Sequence, residues 1–159
     1  MAWGLLLPEG MTTLTPRDVW LIRDRLLADH RELEALFEQL KDAFAANARE
    51  DTQALWRRLE DRLERHFAAE ESVLLPRFAE KAPDEVAALR AEHAALRAAM
   101  AELAVGVDLK LVRDEVARAF LSALEAHAAR EDALLYRWAD QAADEATRRA
   151  LAERFAPLG

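Results

Sequence analysis

The sequence predicts an all-α protein, specifically an up-down-up-down four-helix bundle followed by a short fifth helix. Alanine, leucine, glutamate and arginine dominate its 159 residues, a composition that favours helix. The chain contains only four glycines, and apolar residues recur at steps of three or four. Long helices with short connections imply antiparallel neighbours around one core, and the chain is too short for two domains.

Helix 1 is predicted from Pro16 to Ala46. Thr15 supplies an N-cap, and Pro16 fits the first helical position, where a backbone N–H has no partner to lose. Asn47 is suited to a left-handed stop. Residues 1–15 lack helical periodicity and are expected to form an N-terminal arm, so the bundle domain is predicted over residues 16–159.

Caps and helix breakers set the bounds of the remaining helices. They are expected from about Thr52 to Glu80, from Pro83 to just before Gly106, from about Leu109 to Gln141, and from Asp144 to Phe155. Pro76 should kink the last turns of helix 2. A corner at Gly106 would place His93 and His127 at different levels. We therefore expect helix 4 to overhang helix 3 or residues 105–110 to form an extended corner.

Composition and charge exclude several classes of protein. The chain has no cysteine, so it has no disulfide framework, thiolate metal site or cysteine nucleophile. Its net charge of −8 argues against nucleic acid or an anionic membrane as a partner. No apolar run reaches the ~18 residues of a membrane span, and the first residues lack the basic charge of a signal peptide. A soluble cytoplasmic protein is expected.

Each long helix carries a stripe of apolar residues, and six polar residues occupy positions within these stripes. The stripe of helix 1 comprises Val19, Ile22, Leu26, His30, Leu33, Phe37, Leu40 and Phe44. The stripe of helix 3 comprises Val86, Leu89, His93, Leu96, Met100 and Leu103. In helices 2 and 4, two successive stripe positions are polar, namely His66 with Glu70 and His127 with Glu131.

This polar pattern occurs twice, each time as a lone histidine followed by His-x-x-x-Glu. The two copies also agree beyond the pattern, because residues 74–85 match residues 134–145 at seven of twelve positions. A spacing of four places the histidine and glutamate of each pair on one helix face. The duplication therefore predicts a site with an internal two-fold axis.

A metal ion explains why polar groups would be placed in a core. An unpaired buried carboxylate is costly or becomes neutral, so Glu70 and Glu131 require partners. A cation between the helices would satisfy all six groups, and imidazole nitrogen with carboxylate oxygen suits iron, manganese or zinc. Two carboxylates across the bundle could also bridge a pair of metals. Any one of these histidines alone would more often be an ordinary core residue.

Four neighbouring polar residues are expected to lie outside the site. Glu34 follows His30 by four positions but lies at the edge of the stripe, so a solvated or salt-bridging role is expected. Glu71 and Asp132 should be exposed, because each points about 100° away from the preceding glutamate. Tyr136, the only tyrosine, lies off the helix 4 stripe and is expected to be peripheral.

The ordered pattern of histidines and glutamates is typical of a known family. His30, His66-x-x-x-Glu70, His93 and His127-x-x-x-Glu131 resemble the hemerythrin-like family, also called the HHE cation-binding domain. The run Glu-Glu-Ser-Val-Leu-Leu-Pro at 70–76 is similar to that family's second helix, and the resemblance covers roughly residues 17–141. It implies a four-helix bundle that holds two non-haem iron ions joined by an oxo or hydroxo bridge. Zinc and manganese remain alternatives to iron.

The resemblance also implies a role for each residue. Glu70 and Glu131 would be bridging carboxylates, His30 and His66 would bind one iron, and His93 and His127 would bind the other. The family's oxygen carriers have His-x-x-x-His in helix 3, whereas this chain has Arg97 at the second position. Two histidines per iron and an open or water-filled position on both metals are then implied. Ferritin-like bundles bind metal through Glu-x-x-His, and no glutamate precedes these histidines at that spacing in a matching pattern.

Three functions remain open. The first is a di-iron protein that binds oxygen, peroxide, nitric oxide or iron. The second is a di-iron enzyme that decomposes peroxide, since two adjacent metals can hold both oxygens of one ligand. The third is a metal-free helical interaction bundle, which requires protonated or salt-bridged glutamates in its core. The expected partner is a small ligand, not nucleic acid or a membrane.

Overall fold

The structure, a computed structural model, describes residues 22–46, 48–109 and 111–154, and the regular structure in these ranges is helical. The α-helical segments are α1 (Ile22–Ala45), α2 (Arg49–Ala69), α3 (Leu75–Phe78), α4 (Pro83–Leu109), α5 (Asp114–Glu131), α6 (Arg137–Ala142) and α7 (Glu145–Arg154). Two π-helical turns, Glu70–Leu74 and Asp132–Tyr136, join α2 to α3 and α5 to α6. The all-α prediction is confirmed.

Contacts between the helices enclose a common interior. α1 packs against α2, α2 against α4, and α4 against α5, while α1 also contacts the second π turn and α6. The short α7 contacts α2 and the first π turn. The long helices therefore contact one another in chain order, and the last returns to the first.

The interior contains two apolar clusters, and the polar residues lie between them. One cluster includes Leu33, Leu63, Leu96 and Leu124, and the other includes Leu26, Val73, Leu89 and Leu135. In each long helix the stripe passes from one cluster to the other at a histidine. The burial of both clusters thus brings the four histidines to one level.

The predicted stripes of helices 1 and 3 are confirmed where the structure describes them. Every stripe position of α1 is buried from Ile22 to Leu40, and every one of α4 is buried from Val86 to Leu103. Val19, the side chain of Phe44, the N-terminal arm, the predicted start of helix 1 and the predicted stop at Asn47 lie outside the described residues. No helix in the described ranges is both long and apolar enough to span a bilayer.

The second long helix begins earlier than predicted and has a different irregularity. It starts at Arg49 instead of Thr52 and ends at Phe78 instead of Glu80. An unpredicted π turn precedes Pro76, and in it the Leu75 N–H donates to the carbonyl of Glu70, five residues back. Pro76 then falls in the first turn of α3, where its missing N–H is tolerated.

The prediction that helix 3 ends before Gly106 is wrong, because α4 continues to Leu109. The Leu111 N–H donates to the carbonyl of Gly106 at 2.8 Å, and a Cβ on Gly106 would lie 3.2 Å from Val112 Cγ2. Gly106 therefore permits the close approach of the following chain and does not stop the helix.

The corner between the third and fourth long helices consequently lies later than expected. Residues 111–113 are non-helical, and α5 begins at Asp114 instead of Leu109. His93 is then sixteen residues from the end of α4 (93 to 109), and His127 is thirteen from the start of α5 (114 to 127). The two histidines lie at similar levels without the expected overhang or the extended corner at 105–110.

Candidate metal centre

The six polar residues predicted for the core meet in the layer between the apolar clusters. α1 supplies His30, α2 supplies His66, the first π turn supplies Glu70, α4 supplies His93, and α5 supplies His127 and Glu131. The exposed fraction is 9% for His30 and 0–2% for the other five. The structure therefore brings all six side chains together in the interior, where only His30 has partial contact with solvent.

The ligand atoms of these side chains form two groups. One group comprises Glu70, His93, His127 and Glu131, and the other comprises His30, His66 and Glu131. Within each group the nitrogen and oxygen atoms lie within 4.8 Å of one another, close enough to hold a metal ion together. Glu131 belongs to both groups.

The carboxylate of Glu131 spans the two groups with its two oxygens. Its Oε2 lies 3.3 Å from His30 Nε2 and 3.8 Å from His66 Nε2. Its Oε1 lies 2.8 Å from His127 Nε2 and 3.3 Å from His93 Nε2. Each oxygen therefore faces one pair of histidines.

Glu70 lies across the same two groups at longer distances. Its Oε1 is 3.4 Å from His66 Nε2, and its Oε2 is 3.4 Å from His93 Nε2. Both glutamates thus contact histidines from both halves of the internal repeat. This is the arrangement that a bridging carboxylate requires.

Three of the four histidines form a hydrogen bond through Nδ1, the ring nitrogen that faces away from the centre, to a carboxylate outside the cluster, called here an outer carboxylate. The bonds, each of 2.8 Å, run from Nδ1 of His66 to Asp29, from Nδ1 of His93 to Glu71, and from Nδ1 of His127 to Glu92. An ionised carboxylate can only accept a hydrogen bond, so Nδ1 carries the proton in each case. When the ring is neutral, Nε2 keeps its lone pair and points into the centre, as metal binding requires.

Each outer carboxylate is fixed in turn by an arginine. Arg62 bonds to Asp29, Arg97 to Glu71, and Arg130 to Glu92. The pKa of Asp29 is lowered because contacts with His66 and Arg62 outweigh the effect of its burial, and the pKa of Glu71 is lowered likewise by Arg97 and His93. An ionised carboxylate accepts the Nδ1–H bond that orients an imidazole, and the lowered pKa values favour that state.

The structure shows what Arg97 contacts at the position where the family's oxygen carriers have a histidine. Its guanidinium binds Glu71 and Glu64, with nitrogen to oxygen distances of 2.8 Å, and lies 5.1 Å from the centre of the Phe67 ring. The arginine at the position of the carriers' third histidine therefore bonds to Glu71, the carboxylate that orients His93, and lies outside the cluster.

The exposure of two neighbouring carboxylates differs from the prediction, and the exposure of a third agrees with it. Glu71 and Asp132 were predicted to be exposed, but both are half-buried, Glu71 against His93 and Asp132 against Arg23. Helix periodicity could not reveal this, because the contacts come from neighbouring helices. Glu34 is exposed, as expected.

The prediction that Tyr136 is peripheral is wrong. The residue is fully buried, and its hydroxyl donates to Glu70 Oε1 at 2.7 Å and lies 3.0 Å from Glu131 Oε2. It is also 3.2 Å from His30 Nε2 and 3.4 Å from His66 Nε2. Tyr136 therefore belongs to the centre. Burial and the charges of the two glutamates raise the pKa of Tyr136 well above its usual range.

A π turn brings Tyr136 to the centre. In an α-helix, a residue five positions after Glu131 would point about 140° away from it. The π turn Asp132–Tyr136 instead brings positions i and i+5 together. Both copies of the repeat contain a π turn at this point, so comparing the two copies in the sequence does not reveal it.

Mutual contact shifts the pKa values of the clustered groups. Burial alone would raise the pKa of Glu131, but close contacts with His127 and the other three histidines hold it well below its usual range. Burial and the charge of Glu131 raise the pKa of Glu70. Burial lowers the pKa of His93, but close contacts with Glu131 and Glu70 outweigh this effect and raise it to about 9. The pKa values of His66 and His127 are also raised, the first by Glu70, Asp29 and Glu131 and the second by Glu131 and Glu92.

The donor set and two unsatisfied atoms fit a cation. Among the described residues, Glu70 Oε2 and His127 Nε2 are buried without a hydrogen-bond partner. His127 Nε2 lies close to Glu131, but the contact is not aligned as a hydrogen bond. Buried polar atoms normally find a partner, and nitrogen with carboxylate oxygen is a donor set that iron, zinc and manganese accept.

Comparison with known proteins supports the family resemblance. A search of curated proteins and a search of solved structures gave no match to the chain. The family model described as the hemerythrin HHE cation binding domain matches residues 21–139, about three quarters of the sequence. That match spans α1 to α5 and all six clustered residues. The chain therefore belongs to the hemerythrin HHE cation-binding family.

Proposed function

We propose that this protein holds a non-haem di-iron centre that binds oxygen, peroxide, nitric oxide or iron itself. His30 and His66 would hold one iron, His93 and His127 the other, and the carboxylates of Glu70 and Glu131 would bridge them. The long helices would form an up-down-up-down four-helix bundle around the centre. We also propose a cytoplasmic location, in keeping with the acidic, cysteine-free sequence.

The observation that carries this proposal is the position of Glu131 between two pairs of histidines. Its two oxygens face different pairs, at 2.8 to 3.8 Å. A single cation would use one oxygen and leave the other buried against two further imidazoles. Two cations would use both oxygens and all four imidazoles.

Bound iron would supply Lewis acidity and redox reactivity toward a small ligand. The residues of the chain orient the imidazoles through Asp29, Glu71 and Glu92 and keep bulk water out through the two apolar clusters. The His30 side chain is 11% exposed, against 0–2% for the other three histidines. Small solutes would therefore approach from the α1 side.

Metal analysis tests the proposal. Protein loaded with ferrous iron in air and freed of excess metal should contain two irons per chain and show the near-ultraviolet absorption of a bridged ferric pair. His66→Ala and His127→Ala, one from each half, should each lose iron and that absorption. Glu34→Gln, an exposed position on α1, is the matched control and should keep both.

Three results would contradict the proposal. Wild type with one iron per chain would contradict a two-metal centre. Well-folded wild type that retains no metal would favour the metal-free interaction bundle. Selective retention of zinc or manganese from an equimolar mixture with iron would contradict the assignment of iron.

A second candidate function, decomposition of peroxide, is favoured by the partial exposure of His30. A solute as small as peroxide could reach the centre there, while the other histidines remain enclosed. Iron-loaded wild type should then release oxygen from added peroxide, and Glu131→Gln should not. Iron-loaded protein that releases no oxygen would reject the enzyme and leave the binding function.

A further inference from the structure

Tyr136 is a buried polar residue at the centre to which the proposed ligand set gives no role. Its hydroxyl lies on the side of His30 and His66, within 3.4 Å of both Nε2 atoms. An apolar side chain would suffice if the position only filled space between the glutamates. The hydroxyl therefore calls for a chemical explanation.

Four atoms on this side of the centre form a nearly regular tetrahedron: Tyr136 Oη, His30 Nε2, His66 Nε2 and Glu131 Oε2. The hydroxyl oxygen lies 3.2, 3.4 and 3.0 Å from the other three atoms. Those three atoms are 3.0, 3.3 and 3.8 Å apart. A tetrahedral metal with bonds of about 2.0–2.2 Å needs ligand atoms about 3.3–3.6 Å apart. The six separations bracket that value.

The two halves of the centre also differ in how many residues converge on them. Four residues converge around His93 and His127, but three converge around His30 and His66. We propose that Tyr136, as a phenolate, is a further protein ligand of the metal held by His30, His66 and Glu131, in addition to the bridging carboxylate of Glu70. This inference rests on the proposed metal-binding function and goes beyond the ligand set assigned above.

Coordination would change the hydrogen bonds of Tyr136 in a defined way. The hydroxyl now donates to Glu70 Oε1 at 2.7 Å. As the metal binds, the phenol proton would pass to solvent and an oxygen lone pair would form the bond to the metal. Glu70 Oε1 would lose that donor, and its position 3.4 Å from His66 Nε2 would make it available to the same metal. No oxidant or reductant takes part in this step.

Zinc provides a test that does not depend on iron chemistry. Zinc has no redox chemistry and no colour of its own, and Tyr136 is the only tyrosine in the chain. Titration of metal-free protein with zinc should therefore produce the near-ultraviolet difference spectrum of one tyrosinate per chain. The signal should grow with the ion that enters the His30 half and should be absent from Tyr136→Phe.

Iron gives an independent readout. A ferric phenolate absorbs visible light, and resonance Raman spectra excited in that band should show the ring modes of tyrosinate in wild type. Tyr136→Phe should lose the band and bind the second metal at least about tenfold more weakly. Trp138→Phe is the control, because Trp138 lies two residues away in α6 against Phe78 and should keep the band and both metals.

The outcomes separate this inference from the proposed function. Wild type that binds two metals without a tyrosinate signal would overturn the phenolate ligand and leave the di-metal centre standing. Equal affinity of Tyr136→Phe and wild type for the second metal would overturn it as well. Wild type that binds no metal would overturn both.

Discussion

Glu131 and Glu70 occupy equivalent positions in the sequence repeat but not in the structure. Glu131 lies within 3.8 Å of a nitrogen of all four histidines. Among the four histidines, Glu70 contacts His66 and His93, and one of its oxygens accepts a hydrogen bond from Tyr136. The two halves of the centre should therefore depend more on Glu131 than on Glu70.

Replacing the two glutamates should give graded losses of metal. Glu131→Gln should reduce bound iron from two per chain toward none, whereas Glu70→Gln should retain about one. Glutamine keeps the shape but removes the charge that offsets the metals, so the loaded variants should also melt at lower temperature. Metal analysis and thermal melts on the same samples measure both effects.

A metal-free core predicts the opposite sign for these substitutions. Without metal, glutamine at either position would remove the cost of burying a charge and would be neutral or stabilising. Glutamine variants that are more stable than wild type and have the same metal content would defeat the di-iron proposal.

The outer carboxylates should control affinity without controlling the fold. Asp29→Asn and Glu92→Gln, one from each half, remove the charge that fixes a histidine, and such changes typically weaken metal binding about 10–100-fold. Competition of each variant with a chelator measures the loss, and circular dichroism should show unchanged helix content. The exposed Glu34→Gln serves as control, and an equally large loss there would contradict a specific role for the outer pair.

The burial of an individual residue could be predicted from the sequence where that residue occupies a position in an apolar stripe. The six clustered residues interrupt a stripe, so their burial follows from helix period alone. Glu71 and Glu92 do not interrupt a stripe, and their bonds to His93 and His127 depend on the lateral packing of neighbouring helices. Tyr136 was missed because the α-helical period does not hold across a π turn.

At the scale of the helix, most segments could be predicted, but two features could not. The long helices follow from the periodicity and the scarcity of glycine. Gly106 was taken as a stop, whereas its role depends on Val112, a residue that folds back over the helix. The π turns leave no signature in the residue pattern, and because both repeat copies contain one, comparing the copies does not reveal them.

The π turn after Glu131 should tolerate the loss of one residue. Deletion of Ala133, which is exposed within that turn, would place Tyr136 four positions after Glu131, where an α-helix also keeps the two on one face. We expect retained helix content and two metals per chain, measured by circular dichroism and metal analysis.

A second deletion in the same helix tests this reasoning. Removing the exposed Ala129 from α5, between His127 and Glu131, would rotate Glu131 by about 100° and should abolish metal binding. If both deletions had the same effect on metal content, the π turn would not be what brings Tyr136 into phase.

At the scale of the whole molecule, two apolar clusters enclose a charged layer, so stability and metal binding should be linked. All six proposed ligands lie at residue 30 or later, and the family match begins at residue 21. Deletion of residues 1–10 should therefore leave two irons per chain, as metal analysis would show. Loss of iron on that deletion would make the N-terminal arm part of the site.

The same linkage predicts how pH affects stability with and without metal. In the metal-free protein, the pKa of His93 is raised to about 9, above the value of about 6.5 in an unfolded chain. Its stabilising contribution is complete below about pH 6.5 and disappears as the pH rises through about 9. The raised pKa values of His66 and His127 act in the same direction.

Metal binding should have the opposite dependence, because the imidazoles must lose their protons to coordinate. The lowered pKa of Glu131 matters only at acid pH, where stability is lost as the pH falls through the range below about 4.5. From about pH 6.5 to 9, the melting temperature of the metal-free protein should fall. Over the same range, the amount by which bound metal raises the melting temperature should grow. Melts with and without a chelator across this range measure the difference. A constant difference would mean that His66, His93 and His127 do not exchange protons for metal.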